Sequence, residues 1–191
     1  MDPRLYTIDT ALLTPRCVIR RFREGDGKPF HALIQNNQSH LGDHFPHLVK
    51  AIDGPEMAEA FVRHRISDWL LQQEYTFGIW ENESTNMVGY VHLFHIDWDV
   101  PVSEVSYFLD RDASGNGLMT EVLARIIRFA FLDLELEKLF LTTLADNYAS
   151  QRVARRVGFQ REGDLRNEFR RPGGTLVDLV RFGLTRESYG E

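Results

Sequence analysis

A single cysteine, Cys17, is all that 191 residues contain, which excludes an intrachain disulfide framework. It lies in an apolar-alternating stretch, the setting of a buried structural thiol rather than a nucleophile. Long apolar runs are missing too. None approaches the roughly 20 residues needed to span a bilayer, and Met1 to Thr7 carries neither the basic start nor the apolar run of a secretory leader. A cytoplasmic protein that does not engage membranes is the expectation. Repeats, low-complexity tracts and linkers are also lacking, so residues 1–191 read as one domain, long enough for a sizeable core with 43% hydrophobic residues. Positive charge is in deficit: 22 Lys and Arg stand against 28 Asp and Glu, for a net charge of -6. That balance argues against nonspecific nucleic-acid binding and suits cationic partners such as amines. Arginines do cluster at Arg152, Arg155, Arg156 and Arg161, a pattern that a solvated helix face also explains.

Alternation predicts strands over residues 16–22, 75–81, 87–96, 103–109, 139–144, 159–170 and 175–185. Helical spacing predicts helices over 29–36, 55–72, from Leu118 onward and over 148–157, the last closed by Gly158. Residues 36–54, with Gly42, Pro46, Gly54 and three histidines, read as loop. Strands and helices alternate, giving a mixed α/β or α+β sandwich.

The most informative segment is Ser114-Gly115-Asn116-Gly117, between the strand of Val105, Tyr107 and Leu109 and the helix opening at Leu118-Met119-Thr120. Two glycines admit backbone conformations closed to other residues and let an anion approach the main chain. The unpaired N–H groups and positive dipole end of the helix face that anion. A phosphate-bearing ligand is the expectation. A Rossmann dinucleotide site would need a third glycine where Thr120 stands.

Farther on, Asn147-Tyr148-Ala149-Ser150 opens a helix, and Val153-Ala154-Arg155-Arg156-Val157-Gly158-Phe159 closes it. With the glycine turn, these segments resemble the GNAT superfamily of N-acetyltransferases, in its ribosomal-protein (RimJ/RimL-like) branch. The resemblance follows element order over nearly the whole chain, with its specific motifs between about Ser103 and Phe169. It implies a mainly antiparallel central sheet of about seven strands flanked by about four helices. It also implies acetyl-CoA as co-substrate, with no metal. By resemblance Ser114, Gly115, Asn116, Gly117, Leu118, Met119 and Thr120 hold the pyrophosphate, and main-chain groups of Tyr107, Phe108 and Leu109 pair with the pantetheine arm. A backbone N–H there would stabilise the oxyanion of acyl transfer. Asn147 would hold the pantetheine and Ser150 would serve the departing thiolate, although both residue types also favour helix starts as caps. The pattern departs at Asp112, an acidic residue three positions before Gly115 where the family carries glutamine or arginine; near phosphates it is unfavourable unless it points away.

The attacking amine must be neutral, and an α-amine with a pKa near 8 loses its proton more readily than lysine. A carboxylate acting through water is the expected base: Glu168, matching a glutamate of the branch, first, and Glu104 second. His40, His44 and His47 fit no tight zinc spacing and are expected to line the acceptor entrance or simply the surface. Phe45 and Trp98 are candidate acceptor contacts. The expected activity is direct acetyl transfer to an amine, favouring a protein N-terminal α-amine such as that of a ribosomal protein. Small amines (a polyamine, amino acid or aminoglycoside) and a noncatalytic acyl-CoA-binding module are the alternatives, and a homodimer is implied by resemblance alone.

Overall fold

The computed structural model describes residues 11–190; the reading of Met1 to Thr7 falls outside them. One eight-stranded sheet runs through the described residues: β1 (Ala11–Leu13), β2 (Cys17–Arg21), β3 (Tyr75–Glu81), β4 (Met87–Asp97), β5 (Val102–Leu109), β6 (Lys138–Leu144), β7 (Gln160–Arg170) and β8 (Leu176–Thr185). Their spatial order is β1-β2-β3-β4-β5-β6-β8-β7, and every neighbouring pair is antiparallel except β5 with β6. The helices are α1 (Gly27–Asn36), α2 (Gln38–Leu41), α3 (Pro46–Ala51), α4 (Pro55–Leu70), α5 (Leu118–Leu132), α6 (Tyr148–Arg156) and α7 (Arg186–Tyr189).

The strand beyond the expected seven is the three-residue β1, too short for alternation to register. The added helices are α2, α3 and α7, each six residues or fewer. Two of them correct the reading of residues 36–54 as loop. Four to six residues cannot nucleate a helix alone, so tertiary packing must hold them. Leu41 and Ile52 are buried in one core, with Phe45, Leu48 and Val49 packed against it, and Pro46 pre-sets the first turn of α3.

The sheet separates two cores. On one face α5 buries Val122, Leu123, Ile126 and Ile127 against Phe77, Val91, Leu139 and Phe182. On the other, α1 and α4 bury Phe30, Leu33, Ala58 and Val62 against Phe22, Tyr90 and Phe108. Each large side chain fully buried is worth about 1.5–3 kcal/mol relative to exposure, so these faces pin the register of the sheet. Cys17 is buried in the first core and burial pushes its thiol pKa up, which suits a packing residue.

Candidate active site

The parallel pairing of β5 with β6 joins only Val102, Ser103 and Glu104 to Lys138, Leu139 and Phe140. Beyond Glu104 the strands part: β5 continues along β4 to Leu109, while β6 continues along β8 to Leu144. A sheet interrupted in its middle exposes main-chain groups that seek partners. Asp110 N donates to Val88 O of β4 at 2.7 Å, so the two-residue alternation turns the main-chain groups of Leu109 and Tyr107 toward the gap. By the same alternation Phe108 turns its main chain to β4.

At the end of β5 the chain enters the glycine turn. Gly115 and Gly117 both have left-handed φ, 83° and 84°, and a Cβ at either would meet nothing within 4 Å, so the face of the turn is open. Asn116 faces differently: its Oδ1 accepts from Leu118 N at 3.0 Å and its carbonyl accepts from Arg16 at 3.2 Å, bracing the turn from behind. Arg16 also pairs with Glu121 at 2.7 Å, clamping the turn to the β1-β2 connection. The first i→i−4 bond of α5 runs from Glu121 N to Gly117 O, leaving the Met119 and Thr120 N–H groups in the unpaired first turn. Thr120 Oγ1 is buried there with no hydrogen-bond partner, although the residue lines the cleft. Open backbone, a helix N-terminus and an orphaned hydroxyl together form a fit for phosphate oxygens.

The turn is anchored on its other side by the buried Asn37. Its Nδ2 donates to Asp110 Oδ2 at 3.1 Å and its Oδ1 accepts from Arg111 N at 2.9 Å, while Asp110 Oδ1 accepts from Asp112 N at 2.9 Å. The α1-α2 junction and the glycine turn are therefore one hydrogen-bonded unit.

The far wall is α6. Asn147 caps it, with Oδ1 accepting from Ser150 N at 3.1 Å. The Ser150 hydroxyl lies 3.1 Å from the Tyr107 hydroxyl, whose pKa burial pushes up to about 12. Tyr107 is thus protonated at working pH and able to donate to Ser150. Sequence reasoning assigned Tyr107 only a main-chain role; period-2 alternation could have paired its side chain with α6 but not selected Ser150.

These parts enclose a cleft of ≈ 290 Å³. It unites Tyr107, Phe108 and Leu109, the turn residues Ser114, Gly115 and Gly117, the helix start Leu118 to Thr120, and Asn147 with Ser150. Its remaining wall comes from α2 and the following turn: His40, Leu41, His44 and Phe45, whose ring packs 5.4 Å from that of Phe108. Asn116, Glu104 and Glu168 are not in the lining. Glu104 pairs with His95 at 3.1 Å, and Glu168 is exposed on β7 beside a bulge where Asn167 has a φ of 56°. His47 is exposed, and Trp98 lies elsewhere, donating to Gln72 O at 3.1 Å. Asp112 is exposed and outside the lining, whereas Arg152 and Arg156 of α6 contribute to it. Their i,i+4 spacing on α6 was the available signal.

A family model for an acetyltransferase (GNAT) domain matches residues 16–160. The chain belongs to the GNAT acetyltransferase family. Among GNAT relatives, the provisionally named N-acetyltransferase YjcK of Bacillus subtilis is 34% identical over 95 residues, which span 49% of this chain and about half (52%) of that one. The provisionally named ribosomal N-acetyltransferase YdaF of Bacillus subtilis is 25% identical over 94% of this chain and 97% of its own. Spermidine N(1)-acetyltransferase of Vibrio cholerae is 25% identical over 93% and 97%. Among solved structures, RimL, a ribosomal L7/L12 α-N-protein acetyltransferase in complex with coenzyme A, superimposes with a TM-score of 0.84 at 20% identity, over 95% of this chain and 98% of that one.

As a GNAT acetyltransferase, the protein brings the first turn of α5, the open strand edge of β5 and the hydroxyl pair at α6 together in one cleft. No helix among the described residues is long and apolar enough to cross a membrane.

Proposed function

We propose that the chain is a single-domain, cytoplasmic N-acetyltransferase that binds acetyl-CoA and an amine together and transfers the acetyl group directly, with a protein N-terminal α-amine as acceptor. The observation that carries the reading is the continuity of the open β5 edge, the glycine turn and the Asn147–Ser150 helix start in one cleft. On this reading the pyrophosphate meets the main chain of residues 115–120, helped by Arg152 and Arg156, while the pantetheine adds to β5 as a strand. A β5 N–H directed into the gap polarises the thioester carbonyl, and the Ser150 hydroxyl, supported by Tyr107, hydrogen-bonds the departing sulfur.

An α-amine is favoured over a polyamine by charge. Among the described residues lining the cleft none is Asp or Glu, whereas a polycation would be held by carboxylates. The spermidine-acetylating relative gives the small-amine reading its specific support. Incubation with acetyl-CoA, peptides beginning in Ser or Ala, and spermidine, followed by mass spectrometry, separates them: α-acetylated peptide is expected, and exclusive acetylation of spermidine would reverse the assignment. Ser150→Ala should lose turnover by about 10²-fold while still binding CoA. A wild-type protein that binds CoA and acetylates nothing in the panel points instead to a noncatalytic acyl-CoA-binding module.

A further inference from the structure

We propose that His44 takes the proton from the attacking amine. This role rests on the acetyltransferase reading above. Five residues lining the cleft can carry charge: His40, His44, Tyr107, Arg152 and Arg156. Arginine does not give up its proton in proteins, and Tyr107 is a donor already engaged with Ser150. Only the imidazoles remain as proton acceptors at neutral pH.

Of the two, His40 is exposed and His44 half-buried, their rings edge-on at 5.9 Å. The main chain holds His44 on both sides, since His44 N donates to Leu41 O at 3.0 Å and Phe45 N to the same oxygen at 2.7 Å. Its Nδ1 lies 3.5 Å from Asn147 Nδ2. Because Asn147 Oδ1 is committed to Ser150 N, the group facing His44 is the amide NH2, a donor. Nδ1 therefore presents its lone pair and the ring proton sits on Nε2. That lone pair points at the helix start that carries Ser150, and the contact is long enough for an amine to displace.

The charges facing His44 are His40, Asp43, and Asp146 with its ion-pair partner Arg171. Burial and then His40 lower the His44 pKa, and they outweigh the opposite pull of Asp43 and Asp146. His44 is neutral at pH 7 and becomes cationic only below the usual imidazole range. A weak base suffices, since the amine proton turns strongly acidic once nitrogen bonds to the acyl carbon. In the step, the N–C bond forms and the C–S bond breaks. The amine proton moves to His44 Nδ1 and on to water, while the sulfur is protonated from the Ser150–Tyr107 hydroxyl pair, which water refills.

The test is the pH dependence of kcat/KM, expressed per neutral amine so that protonation of the peptide α-amine is divided out, from pH 5 to 9 with Ser- and Ala-initiated peptides, for wild type, His44→Gln, His44→Ala and Glu168→Gln, with CoA affinity by calorimetry. Wild type should lose activity on an acid limb below the usual imidazole range. His44→Gln should abolish that limb and lower kcat on the order of 100-fold, with CoA affinity within about twofold of wild type; free imidazole should partly restore His44→Ala. A wild-type profile with no acid limb overturns the role whatever the variants do. So does a limb that survives in His44→Gln but vanishes in Glu168→Gln, or a loss of CoA affinity in His44→Gln that accounts for its lost activity. Wild type that binds CoA but acetylates no amine overturns the functional reading and this role with it.

Discussion

On the α5 side of the cleft, a buried helix face of Val122, Leu123, Ile126 and Ile127 fixes the helix, and Arg16 clamps the turn that precedes it from across the sheet. On the opposite side, two short helices, α2 and α3, are held by a handful of side chains on the second core. The first wall is built by local sequence rules and presents main-chain atoms. The second is built by tertiary packing and presents side chains, His40, His44 and Phe45. On the proposed function, the wall of main-chain groups meets what is common to every acyl-CoA, and the wall of side chains is the part that can vary with the acceptor. The two are tied at one place, Asn37, whose amide bridges the α1-α2 junction to Asp110 and Arg111.

That tie offers the largest test. Asn37→Asp would set two carboxylates against each other at a buried site, with an expected cost of about 3–5 kcal/mol in thermal stability and a CoA affinity reduced more than tenfold. Adding Asp110→Asn restores a donor facing an acceptor and keeps the bonds from Arg111 N and Asp112 N, while the bond from residue 37 to Leu33 O stays lost, so affinity should return in large part but stability only partly. If the double variant stays as weak as the single one, the walls are not coupled through this pair.

A smaller effect probes the donor wall alone. Gly117→Ala forces a Cβ onto a residue with φ of 84°, costing roughly 1–2 kcal/mol and narrowing the open face of the turn. CoA affinity by calorimetry should fall about tenfold, with the pH profile of transfer unchanged. A shifted profile would mean that the donor and acceptor walls do not act separately.

The smallest concerns the clamp. Burial raises the Glu121 pKa, but hydrogen bonds from Thr14 and Arg16 and the Arg16 charge outweigh it and hold the carboxyl below its ordinary value. A folded pKa below the unfolded one contributes stability that is complete above about pH 4.3 and lost as pH falls through the folded value. Arg16 is substantially exposed, so the contribution is at most about 1 kcal/mol. Arg16→Ala should lower thermal stability slightly at pH 7 and not at pH 3. An equal loss at both values would assign Arg16 a packing role instead.

Most long elements were legible in the sequence because each satisfies a local rule: alternation for β3 to β8, an apolar stripe for α5, a capping Asn147 for α6 and closing Gly158. β1, α2 and α3 escaped because three to six residues carry too little pattern to stand above the background. In the site, the glycine turn and Ser150 were found from motifs. Glu168 rests on its match to a glutamate of the ribosomal branch and Glu104 on residue type and its place on β5, and neither lines the cleft. Trp98 was chosen for its place in a loop, and its indole instead closes the β4-β5 turn onto Gln72.

By itself the sequence determined what depends on neighbours in the chain: the open glycine turn, the unpaired first turn of α5 and the capped start of α6. These follow from backbone sterics and hydrogen bonding over a few residues. Only the tertiary structure decided that β5 and β6 part after Glu104, that Tyr107 meets Ser150, that Arg152 and Arg156 rather than Asp112 face the cleft, and that His44 stands against Asn147. Those pairings join residues from tens to more than a hundred positions apart, and burial of two cores across one sheet brings them together.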